Sequence, residues 1–167
     1  SAMRALPNMR VIVPSDAEST RWATKWAVDN YGPVYLRLSR DVYPDLYAEG
    51  TKFELGKGAV VRPGRDVTVI ACGLMVHKAM EAAEMLAAKG VSVRVVDMYS
   101  IKPIDRELIL KCASETGAIV TAEEHNIYGG LGSAVSEVLA WAGAGVPTEF
   151  VGIRDTFTES APYAQLL

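Results

Sequence analysis

The chain has 167 residues, of which 50% are hydrophobic and 22% charged, a balance that excludes a disordered segment and suits one good-sized core, or one domain plus part of another. Its formal net charge of −3 is spread along the chain without a lysine- or arginine-rich block, which excludes the footprint of a nucleic-acid or anionic-membrane surface. No apolar run approaches the ~20 residues of a membrane-spanning helix.

Ser1 and Ala2 lack both the charge and the apolar stretch of a signal peptide and read as an appended scar. Cys72 and Cys112 lie far apart with no histidine at metal-ligand spacing, so neither a disulfide framework nor a zinc site is expected. Both read as small buried apolar residues in a reducing cytoplasm.

Residues 9–13 are predicted as a buried strand ended by Pro14. Ser15 and Glu18 form a Ser-x-x-Glu capping box that opens a helix with Ala23, Trp26 and Ala27 on one face, and Tyr31-Gly32-Pro33 stops it. Residues 34–39 are a strand, with Val34, Leu36 and Leu38 on one side and Tyr35, Arg37 and Ser39 on the other. From 41 to 57 the pattern dissolves into charges, Pro44, Gly50 and Gly56, the composition of a linker between two units. Runs 58–61 and 66–71 flank Arg62-Pro63-Gly64-Arg65, whose Pro-Gly suits a type II turn, so an antiparallel hairpin is expected.

The period then changes to that of a helix. Val76, Ala79, Met80, Ala83, Leu86 and Ala87 form an apolar stripe closed by Gly90. Residues 91–96 are a strand, and Pro103 suits the first turn of the next helix, with Asp105 and Glu107 near its positive end. Leu108, Ile109 and Cys112 give that helix its inner face. Residues 117–121 and 149–153 are the last strands, and between them a helix over 131–141 turns Leu131, Ala134, Val135, Val138 and Leu139 inward.

Alternating strands and helices imply an α/β fold: a three-layer, Rossmann-like domain with a mostly parallel sheet and one antiparallel edge strand. A remnant of a second α/β domain precedes it. That remnant has an unpaired sheet edge, so it is expected either to be mobile or to lean on the second unit or a neighbouring chain.

Few residues stand out as chemistry. Gly129-Gly130-Leu131-Gly132-Ser133 opens a helix whose amides suit an anion, or it serves close backbone packing; it is not G-x-G-x-x-G and lacks a P-loop lysine. Cys72-Gly73-Leu74 carries one glycine, too few for a dinucleotide-binding turn. His77 shares a polar helix face with Glu81 and Glu84 and reads as a solvated histidine. His125 follows Glu123-Glu124 where a strand ends, in either a structural or a catalytic place. Arg40 sits at the carboxyl end of strand 34–39, where its planar fork of donors suits a phosphate as well as solvent.

Several segments, in order along the chain, resemble transketolases. Residues 3–17 (MRALPNMRVIVPSDA) resemble the later half of the pyrimidine-binding domain, and 33–40 (PVYLRLSR) the strand that ends it. Residues 98–105 (MYSIKPID) are similar to the family's S-I-K-P-x-D segment, and Thr121-Ala122-Glu123-Glu124-His125 with Gly129-Gly130-Leu131-Gly132 to its E-E-H…G-G-x-G segment. Residues 152–160 (GIRDTFTES) are similar to its closing motif. The acidic pair followed by histidine favours transketolase over 1-deoxy-xylulose-5-phosphate synthase and the beta-type subunits of 2-oxoacid dehydrogenases. The wording is nearest to bacterial transketolases made as two polypeptides, of which this resembles the second.

The resemblance implies residues 1–45 as a partial pyrimidine-binding domain, 46–55 as a linker and 56–167 as a C-terminal domain that stops just inside its last helix. It also implies two-carbon ketol transfer between sugar phosphates in the pentose phosphate pathway, with thiamine diphosphate and Mg2+ in the complete enzyme. The family's activating glutamate, stacking aromatic and diphosphate site have no counterpart in these segments, so the section alone is expected to bind neither cofactor nor metal and to be inactive. Arg40 is the one matching residue expected at the substrate, on the sugar phosphate. The implied partners are the missing amino-terminal part or subunit, in a homodimer or heterotetramer. The competing readings are part of a 1-deoxy-xylulose-5-phosphate synthase or of a 2-oxoacid dehydrogenase beta-type subunit, or a purely structural dimerisation module.

Overall fold

The first part of the chain forms α1 (Ala2–Ala5), β1 (Arg10–Ile12), α2 (Ala17–Asp29) and β2 (Val34–Leu36) in the computed structural model, which describes residues 1–40 and 42–159. β1 and β2 pair in parallel, as the apolar runs suggest. The start of α2 differs from expectation by one residue. Asp16, not Ser15, is the N-cap, accepting the Ser19 amide at 2.8 Å, and Ser19 replaces Glu18 in the capping box. Tertiary partners decide this. The Ser15 hydroxyl is drawn to Asp97, and Glu18 accepts the amide of Gly50.

The rest forms β3 (Ala59–Arg62), β4 (Val67–Ala71), α3 (Leu74–Ala87), β5 (Val93–Asp97), β6 (Ser100–Lys102), α4 (Arg106–Glu115), β7 (Ile119–Asn126), α5 (Leu131–Ala142) and β8 (Thr148–Ile153). The main sheet has the order β3-β5-β4-β7-β8, parallel except for β3 at one edge. Helix α3 covers one face, where Val76, Ala79 and Ala83 meet Val93 and Val95. Helices α4 and α5 cover the other, where Ile109, Cys112, Val135 and Val138 meet Ile70, Val96 and Ile119. Side chains alternate along a strand, so strands covered on both faces read as continuous apolar runs. These are the three layers.

The expected hairpin is not there. β3 and β4 do run in opposite directions, but β5 lies between them and pairs with both. The Pro63-Gly64 connection instead crosses the start of β5, where Arg65 and Asp66 donate to the Ser92 carbonyl. A Cβ on Gly64 would lie 2.2 Å from the Arg94 nitrogen, so the crossing requires glycine.

Pro103 is also displaced. It follows a cis peptide bond after Lys102 and precedes the helix, which begins at Arg106 with Asp105 as N-cap, accepting the Leu108 amide at 3.0 Å. The residues before Pro103 form β6, a strand that leaves the main sheet and pairs antiparallel with β1. The first unit therefore leans on the second through the sheet β2-β1-β6. The stretch read as a linker is anchored as well. Phe53 packs among Trp22, Tyr47 and Tyr99 with ring centroids 4.8–5.5 Å away. The expected last helix and Asp41 lie outside the described residues.

Candidate functional site at the seam

Four strand ends meet where the two sheets abut. β1 leads to Val13 and Pro14, β2 to residues 37–40, β4 to Cys72, and β7 reaches its end through Glu123, Glu124 and His125. Two cavities of about 270 and 170 Å³ lie there and share Val13, Arg37 and Cys72 in their walls. Carboxyl ends of strands are where open α/β sheets present groups to ligands.

Arg37 continues the path of β2, its amide donating to the Ile12 carbonyl at 3.0 Å. Its half-buried guanidinium crosses the seam and donates to the carbonyl oxygen of Glu124 in β7. Arg40 follows on the rim of the smaller cavity. It is exposed and, among the described residues, makes no hydrogen bond or ion pair.

The glycine-rich loop has a different occupant from the one its amides suggest. Glu123 is 5% exposed, and its carboxylate accepts the amides of Leu131 at 2.9 Å and Gly132 at 3.0 Å. An internal anion thus already holds the start of α5. Close packing explains the glycines: a Cβ on Gly130 would lie 2.0 Å from a Glu123 oxygen, and one on Gly132 would lie 2.9 Å from Thr121 Oγ1.

His125 is at the seam, on the wall of the larger cavity. Its Nδ1 donates to the Asn126 carbonyl at 2.7 Å. Burial pushes the Cys72 thiol up, away from the thiolate form. Cys72 and Cys112 are both free and buried, as expected.

His77 departs from its solvated reading. Its Nε2 donates to the Ser15 carbonyl at 2.7 Å, and its ring lies 5.5 Å from that of Tyr43. The amphipathic pattern of α3 placed it on the polar face, but the first unit packs against that face.

Sequence reasoning missed two residues. Arg37 was visible as a charge on a strand otherwise flanked by apolar side chains. Asp97 was hidden, because nothing local marks a carboxyl group that is 0% exposed and bound by Ser15 and Tyr47.

Comparison with known proteins bears on what such a seam belongs to. The family profile "Transketolase, C-terminal domain" matches residues 56–167, and "Transketolase, pyrimidine binding domain" matches residues 1–45. The chain belongs to the transketolase family. It is 44% identical over 156 residues to one subunit of the apulose-4-phosphate transketolase of Phocaeicola vulgatus, covering 93% of this chain and 49% of that protein. It is 42% identical over 170 residues to 1-deoxy-D-xylulose-5-phosphate synthase 1 of Geobacter sulfurreducens, covering 99% of this chain and 26% of that protein. The solved structure of a split gene transketolase, an inactive beta4 tetramer, superposes with a TM-score of 0.88 at 53% identity, covering 92% of this chain and 51% of that one. The chain spans about half the length of the transketolase subunit it matches.

Transketolases generally use thiamine diphosphate with a metal ion. The amides at the start of α5 are taken by Glu123, and no group of three His, Cys, Asp or Glu side chains among the described residues is placed to hold a metal. No helix of the described residues is long and apolar enough to cross a membrane.

Proposed function

We propose that this chain is the carboxy-terminal section of a transketolase that moves a two-carbon ketol unit between sugar phosphates, with thiamine diphosphate and Mg2+ held by the complete enzyme. Residues 1–45 are then part of the pyrimidine-binding domain, 46–55 a linker and 56–167 the C-terminal domain. The partner is the amino-terminal part or subunit, in a cytoplasmic homodimer or heterotetramer. The section alone is inactive and serves assembly and contact with the substrate phosphate.

The observation that carries this reading is Arg40: an exposed guanidinium, without a partner among the described residues, on the rim of a cavity where four strand ends converge. A planar fork of charged donors matches phosphate oxygens. Arg40 takes no part in bond making. It holds the phosphate end of the sugar while the reacting carbons lie elsewhere.

A second reading, part of a 1-deoxy-xylulose-5-phosphate synthase, draws support from 42% identity across 99% of this chain. One experiment separates the readings. The chain is combined with its amino-terminal section, thiamine diphosphate and Mg2+, and two reactions are assayed. Ketol transfer from a ketose phosphate to an aldose phosphate supports the transketolase reading. Condensation of pyruvate with glyceraldehyde 3-phosphate supports the second. Full transfer by the isolated chain contradicts the division of labour, and an unchanged rate without the chain leaves only a structural module.

A further inference from the structure

Since Arg40 has no side-chain partner among the described residues, its position depends on what holds residues 38–40 and 42–45. The far end of this loop is pinned by Asp16, which accepts the amides of Leu46 at 3.0 Å and Tyr47 at 2.9 Å. The middle is narrowed by the hydroxyl pair of Tyr43 and Ser39, with the Tyr43 ring against His77. The near end, three residues before Arg40, is held by Arg37.

Arg37 differs from the other anchors in where it reaches. Its backbone belongs to the β2-β1-β6 sheet through the Ile12 carbonyl. Its side chain belongs to the main sheet, through the Glu124 carbonyl at the carboxyl end of β7. It is the anchor nearest the end of β2. A guanidinium suits this task because several donors point in one plane, so one can be spent on a carbonyl in a fixed direction.

We propose that Arg37 is a positioning residue for Arg40: by tying the end of β2 to the carboxyl end of β7, it sets where the Arg40 guanidinium meets the substrate phosphate. The inference rests on the reading of Arg40 given above. The second unit then contributes to substrate recognition through a backbone carbonyl, without itself touching the sugar.

A double-mutant cycle on the complete enzyme tests this, using ribose 5-phosphate and a short unphosphorylated aldehyde as acceptors. Arg37→Met keeps the apolar stem and removes the donors. It is expected to raise KM for ribose 5-phosphate on the order of tenfold, because a misplacement of about 1 Å is costly at a binding group. The turnover number should stay within about twofold, and the KM of the unphosphorylated aldehyde should not move.

The combination with Arg40→Ala isolates the positioning role. If Arg37 acts through Arg40, Arg37→Met adds less than about twofold once Arg40 is gone. A full additional rise would make Arg37 an independent phosphate contact and overturn the proposal, as would equal losses for both acceptors or no change with either. If Arg40→Ala alone has no phosphate-specific effect, the reading of Arg40 fails first, and this inference with it. Should Arg37→Met not fold, Arg37→Lys keeps charge and stem and is read by the same contrasts, with a smaller rise.

Discussion

Tyr47 donates its phenolic hydrogen to one carboxyl oxygen of Asp97 at 2.8 Å, and Ser15 donates to the other at 2.8 Å. Three parts of the chain meet at this point: the end of β1, the connecting stretch and the end of β5. Asp97 is wholly buried, so its oxygens have no water to fall back on. Tyr47→Phe removes one donor and keeps the ring in its aromatic cluster. The expected loss is about 1–3 kcal/mol, the cost of one unsatisfied buried polar group. Urea denaturation checks this, and an unchanged midpoint would show that the contact adds nothing.

Burial pushes the Asp97 carboxyl group up to about 7, against the opposing effect of its two hydroxyl donors. Its folded value lies above its unfolded one, so its contribution to stability is fully present below the ordinary carboxylate range, about 4. That contribution is lost as pH rises through about 7. Asp16 has the opposite sign. Burial raises its carboxyl group, but hydrogen bonds from Ser19, Tyr47 and Leu46 prevail and hold it below the usual value. Its contribution is present above the unfolded value and lost as pH falls through the lowered one. Asp97→Asn cannot ionise, so urea midpoints between about pH 4 and pH 7 should decline less than in the parent chain. Parallel declines would contradict the assignment.

At the start of α5, Glu123 satisfies two amides that the helix itself leaves without acceptors. Glu123→Gln turns an NH2 group toward one of them, at an expected cost of about 1–3 kcal/mol. Gly130→Ala should cost as much or more by a different route, because its Cβ displaces the same carboxylate. Melting temperatures of both variants are the readout. A neutral Gly130→Ala would show that Glu123 moves aside freely.

Gly64 gives a purely backbone test. A Cβ there meets the Arg94 nitrogen and the Val93 carbonyl carbon, both at 2.2 Å, and neither can move without breaking the start of β5. Gly64→Ala is expected to lower stability by roughly 3 kcal/mol or more, at the high end for single substitutions. Gly145→Ala, where a Cβ meets nothing within 4 Å, is the control and should be near neutral.

What could be read in advance followed from local pattern. Val76, Ala79 and Ala83, or Leu131, Val135 and Val138, repeat at helical spacing and are buried as that spacing requires. The exchange of β3 and β4 across β5 was not legible, because a Pro-Gly turn looks the same whether the strands pair directly or with another between them. β6 was hidden for a related reason: Ser100-Ile101-Lys102 is too short to show a period, and its partner β1 lies far away in sequence. Of the seam, His125 was legible near the end of β7, whereas Arg40, expected at the end of a strand over 34–39, lies four residues beyond β2, which stops at Leu36. Arg37, Glu123 and Asp97 act through backbone groups and hydroxyls that become neighbours only in the folded chain.

The central claim concerns Arg40, and its most direct measurement is the Arg40→Ala variant of the complete enzyme with two acceptors. A charge-assisted hydrogen bond to phosphate contributes on the order of 1.5–3 kcal/mol. If ground and transition states feel it equally, KM for the phosphorylated acceptor should rise roughly ten- to hundredfold with little change in turnover number. The unphosphorylated aldehyde should show almost no change, and the melting temperature should hold. Equal losses for both acceptors, or no loss for either, would contradict the claim.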